Sequence, residues 1–230
     1  MKIAIMGAMP EEIAPILEKL GEYKTTEYAG NKYYEARYKG ADLVIAYSKI
    51  GKVFSTLTAS SMIQHFGAQK LLFSGVAGAI SPSLKVGDLI VATKLSQHDL
   101  DITAFGHAFG YVPEGSVYID TDKDLITISK EVASEMGKSV KEGIIATGDQ
   151  FVANEDRKNW IGDTFKADAL EMEGASVAVV CNALDIPFFI LRSISDAADM
   201  DASFSFDEFL ETSAVESAEF VMKMVDKIVD

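Results

Sequence analysis

Apolar strands alternating with helices predict an α/β protein: a central, largely parallel and twisted sheet covered by helices on both faces. Three observations carry this reading. The runs KIAIMG (2–7), KLLFSGVAG (70–78) and PFFILRSI (187–194) are apolar almost without alternation, as strands buried on both faces should be. Between such runs, apolar residues recur at helical spacing. Polar residues collect directly after the strands: Met9 and Glu12, Ser74 to Gly78, Thr147 to Val152, Glu171 to Gly174, and Ser193 to Asp196. Ligands of open α/β sheets bind beyond the carboxyl ends of the strands, so these clusters are expected to converge on one edge of the sheet.

Each element follows from local pattern. Lys2 to Gly7 is a buried first strand, and Pro10 to Leu20 a helix whose Pro10 sits in the first turn, where a missing N–H costs little. Tyr33 to Tyr38 and Leu43 to Ser48 read as a strand pair, and Val53 to Phe66 as a helix. Lys70 to Gly78 is a strand running into a glycine turn. Asp88 to Leu95 is another, continuing towards Asp99-Leu100-Asp101-Ile102. Leu125 to Met136 is a helix, Ile144 to Thr147 a strand closed by Gly148-Asp149, and 155–165 a short helix. Ala167 to Leu170 is an apolar strand giving way to a helix over Val177 to Cys181. Pro187 to Ile194 is the last strand, interrupted by Arg192. Ser205-Phe206-Asp207-Glu208 has the capping-box pattern and opens a final helix reaching nearly to Val229.

At 230 residues and 48% hydrophobic composition the chain can bury a sizeable core. No linker or repeat divides it, so one domain over 1–230 is expected. The formal charge of −14, from 21 basic and 35 acidic residues without a Lys/Arg cluster, argues against nucleic-acid binding. Cys181 is the single cysteine, which excludes an internal disulfide, and its helical position makes it core filler. His65, His98 and His107 have no metal-ligand spacing, and a solvated strand end explains His98-Asp99 with Asp101. The apolar run at the N-terminus is too short for a signal peptide or membrane span, so a soluble, cytoplasmic protein with no membrane partner is expected.

The densest chemistry lies in Ala169-Leu170-Glu171-Met172-Glu173-Gly174-Ala175-Ser176. Two carboxylates one residue apart, at an apolar strand-to-helix junction, must be hydrogen-bonded or charge-paired if buried. In an extended strand both face one way, so each raises the other's pKa while the following helix N-terminus lowers it. The bland alternative is a strand-end Glu and a surface helix cap. Glu11 and Glu12 open the first helix, where the dipole favours acids regardless of function. Ser74-Gly75-Val76-Ala77-Gly78 is neither G-x-G-x-x-G nor a P-loop, and its small residues suggest close approach to a ligand other than a polyphosphate. Asp196 follows an apolar strand and could cap the next turn, while Arg192 in that strand is a candidate partner for one of the acids. Met9, Phe105, Phe151, Met172 and Phe206 suit either the core or the walls of an apolar slot. No Ser/His/Asp or Cys/His set is visible, so acyl transfer has no nucleophile. A carboxylate site without a required metal suits a reaction through a cationic transition state, such as glycosyl bond cleavage.

The motifs GAMPEE (7–12), SGVAGA (74–79), TGDQFV (147–152), LEMEGAS (170–176), LRSISDAAD (191–199) and SFDEF (205–209) together resemble the 5′-methylthioadenosine/S-adenosylhomocysteine nucleosidase family, in its order and over nearly the whole chain. The resemblance implies a three-layer α/β/α nucleoside phosphorylase-like fold around a mixed sheet, a homodimer, and cofactor-free hydrolysis of the bond between adenine N9 and ribosyl C1′. It implies Glu12 as the base that activates water and Asp196 as the acid for adenine N7. Met172 and Glu173 match the residues that hold the ribose hydroxyls. Phe151 matches the ring stacked on adenine, and the Val152 backbone the purine hydrogen-bonding position. Ala77 and Gly78 lie in the loop under the nucleoside, while Met9, Ile50 and Phe206 match the lining of the 5′ pocket. The segment from Ile102 to Pro113, with Phe105, matches the part that reaches a neighbouring subunit's site.

One departure concerns Val76, where many members carry a Ser whose hydroxyl touches the acid; here Ser195 or backbone N–H groups must hold Asp196 instead. The Val form resembles a branch whose members also cleave 6-amino-6-deoxyfutalosine in menaquinone biosynthesis, besides methylthioadenosine, adenosylhomocysteine and 5′-deoxyadenosine in methionine salvage. The competing readings are a purine nucleoside phosphorylase and a non-catalytic nucleoside-binding protein. Phosphorolysis needs cations or amides for phosphate, where this chain offers Glu11 and Glu12. A mere binding protein has no use for Glu12 and Asp196 together.

Overall fold

The computed structural model describes residues 1–198 and 202–229; the side chains of 202–208 lie outside the described residues. In chain order the elements are β1 (Lys2–Gly7), α1 (Pro10–Leu20), β2 (Lys24–Tyr28), β3 (Asn31–Tyr38), β4 (Ala41–Tyr47), α2 (Lys52–Gln64), β5 (Lys70–Ala79) and β6 (Leu89–Gln97). There follow a 3-10 turn (Thr103–Phe105), β7 (Ile119–Asp120), α3 (Lys123–Glu135), β8 (Val140–Thr147), α4 (Glu155–Phe165), β9 (Ala169–Glu171), α5 (Gly174–Ala183), β10 (Phe188–Asp196) and α6 (Ala202–Val229).

Strand alternation sorts the core into two faces. Ile3 and Ile5 of β1 pack with Leu43, Ile45, Leu72 and Phe189 against α1, α3 and α6. Ala4 and Met6 point the other way and pack with Val44, Phe73 and Ile190 against α2 and α5. That is the expected three-layer arrangement. Ile161 and Phe165 of α4 gather a smaller cluster with Ala146, Val152 and Leu170.

The sheet is mixed, but it is not one open layer. β1 pairs in parallel with β4 and β5, and β5 in parallel with β10. β10 meets β6 antiparallel, β6 and β8 run parallel, and so do β8 and β9. β9 then returns antiparallel to β5, so that β5, β10, β6, β8 and β9 close into a ring. Beyond β4, β3 and β2 follow as successive antiparallel neighbours, and β7 adds a short antiparallel rung to β6.

This closure corrects the expectation that the polar clusters share one edge of an open sheet. β8 and β9 run against β1, β5 and β10. Their carboxyl ends reach the same place because β9 is only three residues long and pairs with Gly78 and Ala79, at the end of β5.

Several boundaries differ from the sequence reading. β2 (KTTEY) is mostly exposed and carries no apolar face, so its pattern is that of an edge strand rather than a core strand. β8 starts at Val140, four residues before the expected Ile144, because Lys141 and Glu142 obscure its period. The helix α6 begins at Ala202, which places Ser205 inside it and not at its cap. The Phe206 side chain lies outside the described residues.

Candidate active site

A cleft opens where the two strand sets meet. Met9, Glu12, Ile50, Ala77, Gly78, Phe151, Val152, Met172, Glu173 and Asp196, separated by up to most of the chain length, all line it. Ile102, Phe105 and Pro113 do not line it within one chain.

Glu12 sits in the first turn of α1 and is buried, whereas Glu11 beside it is exposed. Its Oε2 accepts from the N–H groups of Ala8 and Met9 (3.0 Å for Met9), and its Oε1 from Val76 N–H at 3.2 Å. A Cβ at Gly75 would lie 2.8 Å from Oε1, so the carboxylate can rest on β5 only because that residue is glycine. Burial holds the Glu12 pKa above the usual carboxylate range, although Arg192 and the three backbone N–H groups pull it down.

Asp196 ends β10 just past a register shift between Ile194 and Asp196, the kind of irregularity that re-aims side chains. Ser195 Oγ donates to its Oδ2 at 2.8 Å and Ala198 N–H to its Oδ1 at 2.8 Å. These are the two kinds of group expected to replace the hydroxyl missing at Val76. A Cβ at Gly78 would lie 2.8 Å from Oδ1, so β5 yields space here too.

The two glutamates of the LEMEGAS motif have separate surroundings. The strand stops at Glu171, and Glu173 is the residue before α5 (φ −136°, ψ −40°), so the shared strand face expected for them does not form. Glu171 pairs with buried Arg192 (Oε2 to Nη2, 2.6 Å), accepts from Thr147 Oγ1, and receives the N–H groups of Glu173 (3.2 Å) and Gly174 (2.7 Å). Arg192 is thus the partner anticipated for one acid; its guanidinium also lies 4.1 Å from the Phe73 ring centroid and donates to the Leu191 carbonyl at 3.0 Å. Glu173 accepts from Gly51 N–H at 2.8 Å. Burial first, and the charge of Glu171 second, push its pKa up to about 8, against the pull of the Gly51 N–H and Arg192. Four buried carboxylates, Glu12, Glu171, Glu173 and Asp196, therefore line the cleft, and Glu171 is the one paired with Arg192.

Phe151 and Ile50 are largely exposed at the mouth, Val152 is buried, and Met9 and Met172 are half-buried. Ala8, Val76, Gln150, Leu170, Glu171 and Ser195 also line the cleft. Of these, Gln150 had no distinguishing signal in sequence. Among the described residues, no group of three His, Cys, Asp or Glu side chains is placed to hold a metal ion.

His98 is not at a solvated strand end: it is 2% exposed. Its ring lies against Gly148, where a Cβ would come within 2.3 Å of it. Arg157 Nη2 lies 3.2 Å from Nδ1, and since a guanidinium only donates, Nδ1 must accept. Burial, then Arg157, lower the His98 pKa from 6.5 to about 4, overcoming the opposing charge of Asp99. In this window the unfolded chain binds a proton that the folded chain refuses, so stability is present above pH 6.5 and is lost as pH falls through 4. The loss reaches about 3 kcal/mol at 1.36 kcal/mol per pKa unit. Urea titrations at pH 7 and pH 4.5 should show a smaller acid destabilisation in His98→Gln than in wild type. Equal losses in both proteins would assign the acid sensitivity to other groups.

A ring-closed mixed sheet with a carboxylate-lined cleft at its meeting strand ends defines a nucleoside phosphorylase-like α/β protein. The chain belongs to the phosphorylase superfamily, whose family model matches residues 2–229. It is 58% identical over 228 residues to the aminodeoxyfutalosine nucleosidase of Campylobacter jejuni, covering 99% of this chain and 100% of that protein. It is 35% identical to the 5′-methylthioadenosine/S-adenosylhomocysteine nucleosidase of Haemophilus influenzae, covering 99% and 100%. Its fold matches the native futalosine hydrolase of Helicobacter pylori with a TM-score of 0.97 at 52% identity, over 98% of this chain and 97% of that one.

Proposed function

We propose that the protein is an N-glycosyl hydrolase that releases adenine from 5′-substituted adenine nucleosides, 6-amino-6-deoxyfutalosine among them. The observation that carries this is the convergence of Glu12, Glu173 and Asp196 on one apolar cleft. Glu12, desolvated yet held by three backbone donors, is the general base that takes a proton from the attacking water. Asp196 protonates adenine N7, so that the base departs neutral. The ribosyl C1′ then carries positive charge until water adds to it. Glu173, with Met172, holds the ribose hydroxyls and sets a negative charge facing that cation. Phe151 stacks on the purine and the Val152 backbone binds its edge, while Met9 and Ile50 line the 5′ pocket. The near-full-length relationship to an aminodeoxyfutalosine nucleosidase favours a role in menaquinone biosynthesis alongside methionine salvage.

Phosphate is a poor fit for this cleft. The cleft offers Glu12, Glu173 and Asp196 where phosphate would need cations or free amides, and the buried cation beside it, Arg192, is bound to Glu171. Incubation with methylthioadenosine, adenosylhomocysteine and aminodeoxyfutalosine separately should release adenine at a rate independent of phosphate. Adenine release that requires phosphate would make the protein a phosphorylase.

The protein acts in the cytoplasm as a homodimer in this reading. Among the described residues no helix is long and apolar enough to cross a membrane. Val53 is 76% exposed on α2, beside Phe54 and Leu57, and Phe105 is 81% exposed in the segment from Ile102 to Pro113. Exposed apolar surface of this kind supports an interface with a second copy of the chain. Sedimentation at micromolar concentration should give a dimer, and an active monomer would refute the assignment.

A further inference from the structure

The loop that carries Phe151 and Val152 runs as irregular chain between β8 and α4. Its placement rests on side chains that reach it from outside. The most connected of these is Arg157, in the first turn of α4, a half-buried residue amid the acidic and polar sequence NEDRKN. Its Nε donates to Gln150 Oε1 at 3.2 Å, and Gln150 lines the cleft. Its Nη2 donates to the His98 carbonyl at 3.2 Å and meets His98 Nδ1 at the same distance. Its plane lies 4.3 Å from the Trp160 ring centroid, one turn further along α4. The helix start itself is fixed by Asn154, whose side chain accepts from Arg157 N–H at 3.0 Å.

One planar cation thus ties three parts of the chain together: the loop at Gln150, the end of β6 at His98, and α4. Gly148 opens the same loop and lets the His98 ring approach closely, so the loop is clamped at its first residue and at Gln150. On the far side, Trp160 meets Phe109 edge-on at 5.2 Å, which roots the clamp in the 102–113 segment. A Lys at this position keeps the charge but has neither the plane for Trp160 nor the fork needed to bond Gln150 and His98 in two directions.

We infer that Arg157 is a positioning residue for purine recognition, acting through Gln150 and His98 to hold the loop that bears Phe151 and Val152. This rests on the nucleosidase reading for the identity of the purine. A clamp on a surface that touches the purine in ground state and transition state alike affects binding more than the chemical step. Arg157→Lys should therefore raise KM and the adenine Kd together, by roughly tenfold, with kcat within about threefold of wild type. Combining it with Gln150→Ala should add little beyond Gln150→Ala alone, because both changes break one connection. Trp160 is the single tryptophan of the chain and stacks on the clamp, so its fluorescence should respond to adenine in wild type and less in Arg157→Lys.

A change in thermal stability alone, with KM and adenine Kd at wild-type values, would overturn the inference and leave Arg157 a stabilising residue. So would a fall in kcat at constant KM, or full additivity with Gln150→Ala. Adenine binding by calorimetry needs no turnover. A wild-type protein that binds adenine but hydrolyses no nucleoside would sink the nucleosidase reading while the Kd comparison still decides the clamp. A wild type that binds no adenine overturns both.

Discussion

Asp196→Asn is expected to bind adenine within about tenfold of wild type, a difference of roughly 1.4 kcal/mol, while its hydrolysis of natural nucleosides falls by orders of magnitude. The asymmetry follows from where the proton matters. Adenine leaves poorly as an anion, so protonation of N7 is felt in the transition state and hardly in the bound substrate. The surroundings of Asp196 tolerate the amide. Asn keeps an oxygen for the Ala198 N–H, and the Ser195 hydroxyl, now a donor to Oδ2, can turn to accept from an NH2. The variant should fold and bind, but it has no proton to deliver. A nucleoside analogue whose leaving group needs no proton should recover much of the lost rate. If binding is intact and that rescue fails, Asp196 orients the purine and does not act as its acid.

Glu12→Gln should lower kcat by about 10²–10⁴, the usual worth of general-base catalysis, with a much smaller change in ligand affinity. Here the structure adds a cost that isosteric size conceals. Both oxygens of Glu12 face backbone donors: Oε2 those of Ala8 and Met9, Oε1 that of Val76. A glutamine can satisfy only one side, and its NH2 must face an N–H on the other, a buried mismatch of about 1–3 kcal/mol. The variant should therefore melt earlier than wild type, and its turnover must be measured well below that melting point. In wild type, kcat/KM should fall on acidification through an apparent pKa above the ordinary carboxylate range, since burial raises Glu12 and Glu173 alike. Near-normal turnover in folded Glu12→Gln would place water activation elsewhere.

The parts of this molecule that could be read from sequence are those where one residue's need is stated by its immediate neighbours. The apolar strands β1, β5 and β10 announce their burial, and the helix-start position of Glu12 already hints at backbone donors. Substituting Val at position 76 forces another partner on Asp196, and Ser195 supplies it from the adjacent position. Long-range closure was not legible. Nothing local to Ala169–Glu171 says that the strand will turn against β5 and complete a ring. The different surroundings of Glu171 and Glu173 depend on Arg192 and on Gly51, each reached only through the tertiary fold. His98 was misleading for a related reason, and Arg157 gave no signal at all. Each sits among charged or polar neighbours in sequence, and each finds its partner 59 residues away.

His98 and Glu173, both strongly shifted, titrate in opposite senses. His98 resists a proton, so acid below about pH 6.5 weakens the folded state. Glu173 resists losing one, so its contribution is fully present below pH 4.5 and is withdrawn as pH climbs through about 8. Between these limits the molecule is caught at a mildly acidic optimum of stability that belongs to neither group alone. The chemistry proposed for the cleft needs Glu173 as an anion, a form that becomes abundant only on the alkaline flank of that optimum. Positive charge developing on a bound sugar would favour that anion in the same way as the Arg192 charge already does, so the substrate itself helps to ionise the group that stabilises it.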